Sequence, residues 1–356
     1  MSSDLTPRPY RVLALDGGGI KGAFTAAVLH ELHEMTGKSI AENFDLVIGT
    51  STGGIIALGI GLGIDSSTML DLYQNRGDRI FPPSRRIVFL PCPRGLIKSK
   101  FRPNGLRDEL ESAFGDRLLG DSQCRLVVTA FNADDGDVKL IKTSHHERLR
   151  RDHKLRAVDV GLATSAAPTY FPTHQIDGGL ALIDGGVWAN CPALVGVIEA
   201  ITVLGYERHD IDILSIGTTD EPFDIPRMLR GGGVIPWVLG TLPSWIRRHF
   251  QLSTTSAPAL LMRANQAGAL AQAELLTRRH ERWDGLLRIN PTTRPDRFKM
   301  DSPKDVQQLV ALGRKTAEHH AEDILSRFLR TPVVPFVPVH GRNSRSAIEA
   351  NPDSAR

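Results

Sequence analysis

The chain has 356 residues, of which 41% are hydrophobic, so it is long enough to bury a sizeable core in one large domain or two. Its 43 basic and 40 acidic residues leave a net charge of +3, which is too balanced to indicate binding to DNA or RNA. The three cysteines have no C-x-x-C spacing, so the sequence predicts neither a disulfide framework nor a metal site.

The first predicted strand, residues 10–15, leads into a glycine-rich loop and then into an apolar helix over residues 24–36. The loop contains Asp16, Gly17, Gly18, Gly19 and Gly22. Consecutive glycine N–H groups at the N-terminus of a helix, where the helix dipole favours negative charge, suit an oxyanion hole. The alternative is a tight glycine turn that binds no ligand.

The same glycines also satisfy the pattern G-x-G-x-x-G, which is typical of dinucleotide binding in a Rossmann fold. Such a site needs an acidic residue near the end of the second strand to bind the ribose. Here Asp45 lies at the start of that strand, and Asp16 would repel a bound pyrophosphate. The sequence therefore favours the oxyanion hole.

A nucleophile elbow is predicted at Ser51, which lies between Gly49 and Gly53 in the pattern G-x-S-x-G. This pattern places a serine on a sharp turn between a strand and a helix, where its hydroxyl is exposed. Residues 44–48 have the pattern of a buried strand, and residues 54–58 that of the start of a helix. The two glycines are needed because the turn is strained and neighbouring side chains would block a substrate.

The remaining elements alternate between strands and helices, which favours a largely parallel sheet. They are helices at 54–80, 155–166, 192–204, 258–280 and 303–329, and strands at 125–131, 137–142 and 211–217. We expect one catalytic domain over residues 10–330, a short tail at 1–9 and a polar, disordered tail at 331–356. No apolar run reaches the ~20 residues of a transmembrane helix, and the N-terminus has no signal-peptide core, so we expect a cytoplasmic protein.

Asp184 begins a second short stretch, 133 residues after Ser51, that we expect to work together with the elbow. It precedes Gly185 and Gly186 in the sequence D-G-G-V-W-A-N, whereas Asp177, in a similar D-G-G, lacks the residues that follow. We interpret Asp177 as a turn residue. A carboxylate can act as the general base if it lies within hydrogen-bond reach of the Ser51 hydroxyl.

Three sequence blocks together resemble those of the patatin-like phospholipases. They are residues 16–22, 49–54 and 184–190, in that order. The resemblance implies an α/β, three-layer fold with a mainly parallel central sheet flanked by helices, and hydrolysis of lipid esters by a Ser–Asp dyad that requires no cofactor. Ser51 would be the nucleophile, Asp184 the general base, and Gly17 to Gly19 the oxyanion hole. Cys191 departs from the pattern, because the family often has asparagine there.

A histidine base is the alternative to this carboxylate, since most serine hydrolases use a Ser-His-Asp triad. His174 lies between the elbow and Asp184, but nothing in its sequence context marks it as catalytic. The H-E-x-x-H pattern of zinc proteases is absent from the sequence. The sequence therefore favours the dyad.

Residues 231–246 form an uncharged segment that contains Trp237 and Trp245 and is flanked by arginines. Tryptophan at the level of lipid headgroups, with basic neighbours, suits a membrane interface, so both tryptophans are candidate membrane contacts. The alternative is that the segment is a lid or packs against the core.

Three further stretches are similar to one subgroup of the family, the bacterial anti-phage effectors that cyclic oligonucleotides activate. They are residues 44–63, 165–172 and 214–219. The similarity implies degradation of phospholipids at the inner membrane surface, a cyclic dinucleotide such as cyclic GMP-AMP as allosteric activator, and an open or homo-oligomeric active state. Arginines within 148–156 and 227–248 are candidate phosphate contacts. The alternatives are a constitutive lipid acyl hydrolase or esterase, and a non-catalytic nucleotide sensor or scaffold.

Overall fold

A mixed sheet of eight strands forms the centre of the part that the computed structural model describes, which is residues 8–82, 99–176, 178–222, 257–279, 285–295 and 297–344. The strands are β1 (Tyr10–Leu15), β2 (Leu46–Thr50), β3 (Arg125–Asn132), β4 (Asp137–Lys142), β5 (His174–Gln175), β6 (Ala181–Asp184), β7 (Ile211–Ile216) and β8 (Leu286–Ile289). Their order across the sheet is β5-β6-β3-β2-β1-β7-β8, and β4 also pairs with β3.

The sheet is parallel at its centre. Strand β2 pairs with β1 and β3, and β7 pairs with β1 and β8, all in parallel. Strands β4, β5 and β6 add antiparallel pairs next to β3. Parallel neighbours need crossover connections, and helices usually supply them. The predicted α/β fold with a mainly parallel sheet is confirmed.

Helices cover both faces of this sheet. They are α1 (Gly22–Thr36), α2 (Thr52–Gly61), α3 (Ser66–Gln74), α4 (Gly77–Ile80), α5 (Asn104–Phe114), α6 (Ala157–Thr164), α7 (Gly186–Ala189), α8 (Ala193–Thr202), α9 (Ala257–Thr277), α10 (Val306–His319) and α11 (Ala321–Phe328). Side chains alternate along the strands. Leu13 and Leu15 of β1 belong to a core with α1, α2 and α10, whereas Val12 and Ala14 belong to a second core with α8 and α9. One core on each face gives the protein three layers.

Strand β3 pairs with β2 and β6 one after the other along the same side. Strand β2 pairs with the first part of β3 and β6 with the last part, while β4 occupies the opposite side. Thr129 is therefore opposite Thr50, and the next residue, Ala130, is opposite Asp184. This register brings the end of β2 next to the end of β6.

The structure differs from the predicted elements in several places, and the helix predicted at 303–329 is divided into α10 and α11. The helical stretch at 54–80 is divided into α2, α3 and α4, because Gly63 adopts a left-handed φ of 65° and the Asp65 side chain caps α3. Helix α5 and strands β5 and β8 have no counterpart among the predicted elements. The two strands have two and four residues, which are too few for a reliable periodic pattern.

Residues 331–344, which the sequence assigns to a disordered tail, lie against the body of the protein instead. The Val333 N–H donates to the Glu42 carbonyl at 2.7 Å. The Phe336 ring lies beside Arg125, with 5.2 Å between the ring centroid and the guanidinium carbon. These contacts hold the segment against the body, and its residues 332–339 are prolines, valines and a phenylalanine.

Several sequence predictions fall outside the described residues. These are the segment 231–246 with Trp237 and Trp245, the arginines within 227–248, Asp177, and the chain ends at 1–7 and 345–356. Among the residues that are described, no helix is both long enough and apolar enough to cross a membrane. Within the same residues, no group of three or more His, Cys, Asp or Glu side chains could hold a metal ion.

Candidate active site

Ser51 lies in the turn between β2 and α2, as the pattern G-x-S-x-G predicts. Its φ of 54° is in the left-handed region, which a residue other than glycine adopts only under strain. Gly49 and Gly53 allow the turn to close, because a Cβ at Gly49 would overlap the backbone of Gly53 and a Cβ at Gly53 that of Leu15. The sharp turn therefore depends on both glycines.

The Ser51 hydroxyl donates a hydrogen bond to the Asp184 carboxylate, with 2.6 Å between Oγ and Oδ2. The other carboxylate oxygen, Oδ1, accepts from the Gly186 N–H at 2.7 Å. Both side chains are shielded from water, since Ser51 is 9% and Asp184 5% exposed. Gly185 must lack a side chain because a Cβ would overlap Thr129. A serine and a carboxylate in this arrangement can exchange a proton.

Burial raises the pKa of the Asp184 carboxyl from an ordinary value of 3.8 to about 6. The hydrogen bonds from the Ser51 hydroxyl and the Gly186 N–H lower this pKa in part, because they stabilise the charged form. A carboxylate with such a pKa is still ionised near neutral pH and is a stronger base than an exposed one. Desolvation thus makes Asp184 suited to accept the serine proton.

Three threonines that the sequence analysis did not single out hold the elbow in place. Thr164 Oγ1 accepts from the Ser51 N–H at 2.9 Å and donates to the Thr129 carbonyl at 2.7 Å. The Thr129 hydroxyl donates to Thr50 Oγ1, which donates in turn to the Ala189 carbonyl. The network joins α6, β3, β2 and α7 around the serine. No sequence motif marks these threonines, because their partners meet only in the folded sheet.

The predicted oxyanion hole, Gly17 to Gly19, needs correction at Gly17. Its N–H donates to the Asn190 carbonyl at 3.0 Å, so this N–H is not available to an oxyanion. Gly18 and Gly19 border the cavity that contains Ser51. Gly19 has a left-handed φ of 58°, which favours glycine at this position. The N–H groups of Gly18 and Gly19 are therefore the candidates for an oxyanion hole.

Asp16, at the start of the loop, forms a buried ion pair with Arg288 of β8. Arg288 Nη1 lies 3.0 Å from Asp16 Oδ1, and Gln266 of α9 donates to Oδ2 at 3.1 Å. A buried carboxylate needs such partners, so the pair fixes the start of the loop. Gly22, after the loop, packs so closely on Thr52 that a Cβ would overlap its hydroxyl. No sequence pattern marked Arg288 as part of the site.

An apolar cavity of about 490 Å³ contains the dyad. Its apolar lining includes Ile55, Leu72, Ile80, Phe81, Leu106 and Phe171. The rings of Phe81 and Phe171 both contact that of Phe101, with centroids 5.4 and 5.7 Å away. A second cavity of about 40 Å³ shares Leu106, Ser165 and Phe171 with the first. An apolar cavity with one polar cluster is typical of a site that binds an apolar ligand.

Among the described residues, no histidine borders the cavity that contains the dyad. His174, the alternative base, has Nε2 at 3.1 Å from Asp159 Oδ1 and borders the second cavity instead. Cys191 is buried, and burial raises the pKa of its thiol to about 12, so it is not ionised near neutral pH. The geometry therefore favours Asp184 as the base.

The family model of the patatin-like phospholipases matches residues 13–197, which is more than half of the chain. The matched range includes the glycine loop, the elbow and Asp184. The chain belongs to this family. The predicted family and the predicted class of enzyme, a lipid acyl hydrolase, are confirmed.

Three bacterial relatives bear the name cGAMP-activated phospholipase. The relative from Pseudomonas aeruginosa is 39% identical over 228 residues, which are 63% of this chain and 65% of the relative. The relative from Vibrio cholerae is 32% identical over 62% of this chain and 68% of its own length. The relative from Escherichia coli is 29% identical over 92% of this chain and 94% of its own length. The resemblance to the nucleotide-activated subgroup is thereby confirmed.

We predict that Ser51→Ala and Asp184→Asn each lower the turnover of a chromogenic ester by about a thousandfold or more, because nucleophile and base act as a unit. For the same reason the double variant should be little slower than either single one. His174→Ala is the control and should retain turnover. Circular dichroism checks that each variant is folded. Near-normal turnover of Asp184→Asn, with loss in His174→Ala or Asp177→Asn, would contradict the assignment of the base.

We also predict that kcat/KM rises with pH and levels off above the pKa of Asp184, which burial raises to about 6. The sign follows because only the ionised carboxylate can accept the serine proton, and the acid form predominates below that pKa. On the acid side the value should fall about tenfold per pH unit. The measurement is a pH–rate profile on a soluble ester, at pH values where the fold is intact. A profile without an inflection near this pKa contradicts the prediction.

Proposed function

We propose that the protein hydrolyses ester bonds of membrane phospholipids through an acyl-enzyme, with Ser51 as nucleophile and Asp184 as general base. The observation that carries the proposal is the 2.6 Å hydrogen bond between these side chains inside an apolar cavity. Membership of the patatin-like phospholipase family supports the same class of reaction. The ester assays on the dyad variants test it.

In the first step, Ser51 Oγ attacks the ester carbonyl carbon while Asp184 takes the hydroxyl proton. The N–H groups of Gly18 and Gly19 would stabilise the negative charge that develops on the carbonyl oxygen. Asp184 returns the proton to the leaving oxygen, the ester C–O bond breaks, and a lysophospholipid departs. Water then attacks the acyl carbonyl carbon and gives a proton to Asp184. The C–O bond to Ser51 breaks, Asp184 returns the proton to Ser51 Oγ, and a fatty acid is released. The residues of the chain supply every proton transfer, so the proposal requires no cofactor.

The apolar lining of the cavity favours a fatty acyl chain as the group that binds there. We propose that Phe171 limits the length of this chain. Phe171 borders both the large cavity and the small one, as do Leu106 and Ser165, and it has the largest side chain of the three. A smaller side chain at this position would join the two cavities. The added space would then accept further methylene groups.

We predict that Phe171→Val shifts the preference towards longer acyl chains, by about tenfold in the ratio of kcat/KM for a long-chain ester to that for a short-chain one. Phe101→Val is the matched control, because Phe101 contacts the same rings but borders neither cavity. Thermal unfolding shows whether both variants remain folded. An equal shift in both variants, or none in Phe171→Val, would show that Phe171 does not set chain length.

We further propose that a cyclic dinucleotide such as cyclic GMP-AMP activates the enzyme. The names of the three relatives support this, since each is a cGAMP-activated phospholipase. A nucleotide can shift the protein to an active, homo-oligomeric state only if it binds that state more tightly. Arg148, Arg150 and Arg151 are exposed on one loop and are candidate contacts for its phosphates.

We predict low turnover of bilayer phospholipid by the protein alone and about 100-fold stimulation by cyclic GMP-AMP, the ratio expected if about 1% of the protein is active without ligand. Replacing Arg148, Arg150 and Arg151 by glutamine should raise the nucleotide concentration needed for half-activation. Light scattering during the titration reports any change of oligomeric state. Full turnover without nucleotide, unchanged across a panel of cyclic di- and trinucleotides, would leave a constitutive lipase. Nucleotide binding without any hydrolysis would indicate a sensor.

A further inference from the structure

An apolar surface surrounds the opening of the catalytic cavity. Its four side chains are Val187, Leu261, Met262 and Met300, which we call the apolar rim. Each is between 39% and 68% exposed, and each also borders the cavity that contains Ser51. Of the twelve large hydrophobic side chains that are exposed among the described residues, four therefore lie at this one place. Clustering of this kind marks an interaction surface, whereas single exposed apolar residues do not.

The rim is assembled from three separate parts of the chain. Val187 lies on α7 within the Asp184 motif, and Leu261 and Met262 lie near the start of α9. Met300 is held to the glycine loop, because the Ile20 N–H donates to its carbonyl at 2.9 Å. The rim is thus fixed to the same loop and motif that form the catalytic site.

We propose that the apolar rim is the surface by which the enzyme docks on a phospholipid bilayer. The proposal rests on the phospholipase function proposed above. Because the rim is continuous with the cavity, an acyl chain leaving the bilayer would reach Ser51 without crossing water. Exposed Arg297 and Lys299 precede Met300 and supply positive charge for lipid phosphates, although Arg297 also bonds Gln308.

The binding test uses Ser51→Ala protein, so that the lipid is not consumed, with and without cyclic GMP-AMP. Vesicles of phosphatidylethanolamine and phosphatidylglycerol are sedimented and the bound protein is measured. Adding Leu261→Gln and Met300→Gln together should lower the partition coefficient about tenfold, because two exposed apolar side chains no longer enter the lipid. The matched control is Leu275→Gln, which lies on the same helix, is 54% exposed and does not border the cavity. It should bind vesicles like the parent.

Three outcomes would overturn the proposal. The first is unchanged vesicle binding by the rim variant, and the second is an equal loss in the Leu275→Gln control. The third is that the protein with Leu261→Gln and Met300→Gln binds vesicles like the parent but no longer forms the parent's oligomer, as seen by analytical ultracentrifugation. The rim would then be an interface between copies of the chain.

Measurements of turnover distinguish failure of the docking proposal from failure of the proposed phospholipase function. With Ser51 intact, the rim variant should lose more turnover on vesicles than on a short soluble ester. A parent protein that hydrolyses neither substrate, yet binds vesicles through the rim, would refute the phospholipase function and leave the docking surface. Equal loss on both substrates would assign the rim to substrate binding alone and refute the docking surface.

Discussion

The pairing of β3 with both β2 and β6 is the constraint on which the rest of the site depends. Because β2 ends opposite Thr129 and β6 ends opposite Ala130, the residue after β2 meets the last residue of β6. Ser51 and Asp184 are 133 residues apart in the sequence, and this register brings their backbones together so that the side chains can meet at 2.6 Å. The Thr129 hydroxyl also bonds Thr50, so one strand aligns the dyad and supports the turn beside it.

Two hydrogen bonds hold the strained serine, and one of them is the bond to the proposed base. A left-handed conformation in a residue other than glycine costs about 1–3 kcal/mol. The Ser51 N–H donates to Thr164 and its hydroxyl to the Asp184 carboxylate. A hydrogen bond to a charged group contributes about 1.5–3 kcal/mol and one between neutral groups about 1 kcal/mol, so the two together offset the strain. Removal of Asp184 would therefore weaken the geometry of the elbow as well as the chemistry.

The sequence predicted the fold, the family and the position of the elbow, because these follow from strand and helix patterns and from residue types at fixed spacing. The sequence could not show that Gly17, unlike Gly18 and Gly19, is unsuited to the oxyanion hole. Only folding brings the Asn190 carbonyl to the Gly17 N–H. Arg288 was missed because it meets Asp16 across the sheet from a strand too short to predict. The predicted polar tail at 331–356 also included residues 332–339, which are prolines, valines and a phenylalanine and lie in a segment that contacts the body. The catalytic roles stay predictions.

One physical property, exclusion of water, connects the chemistry of the site with its proposed partner. The apolar lining that suits an acyl chain is also what raises the pKa of Asp184 to about 6 and makes it a better base. A bound acyl chain would displace further water and strengthen the hydrogen bonds to a developing oxyanion. The same apolar character continues outward to Leu261 and Met300, where exposure to water is unfavourable. Contact with lipid would remove that exposed surface from water and complete the desolvation of the dyad.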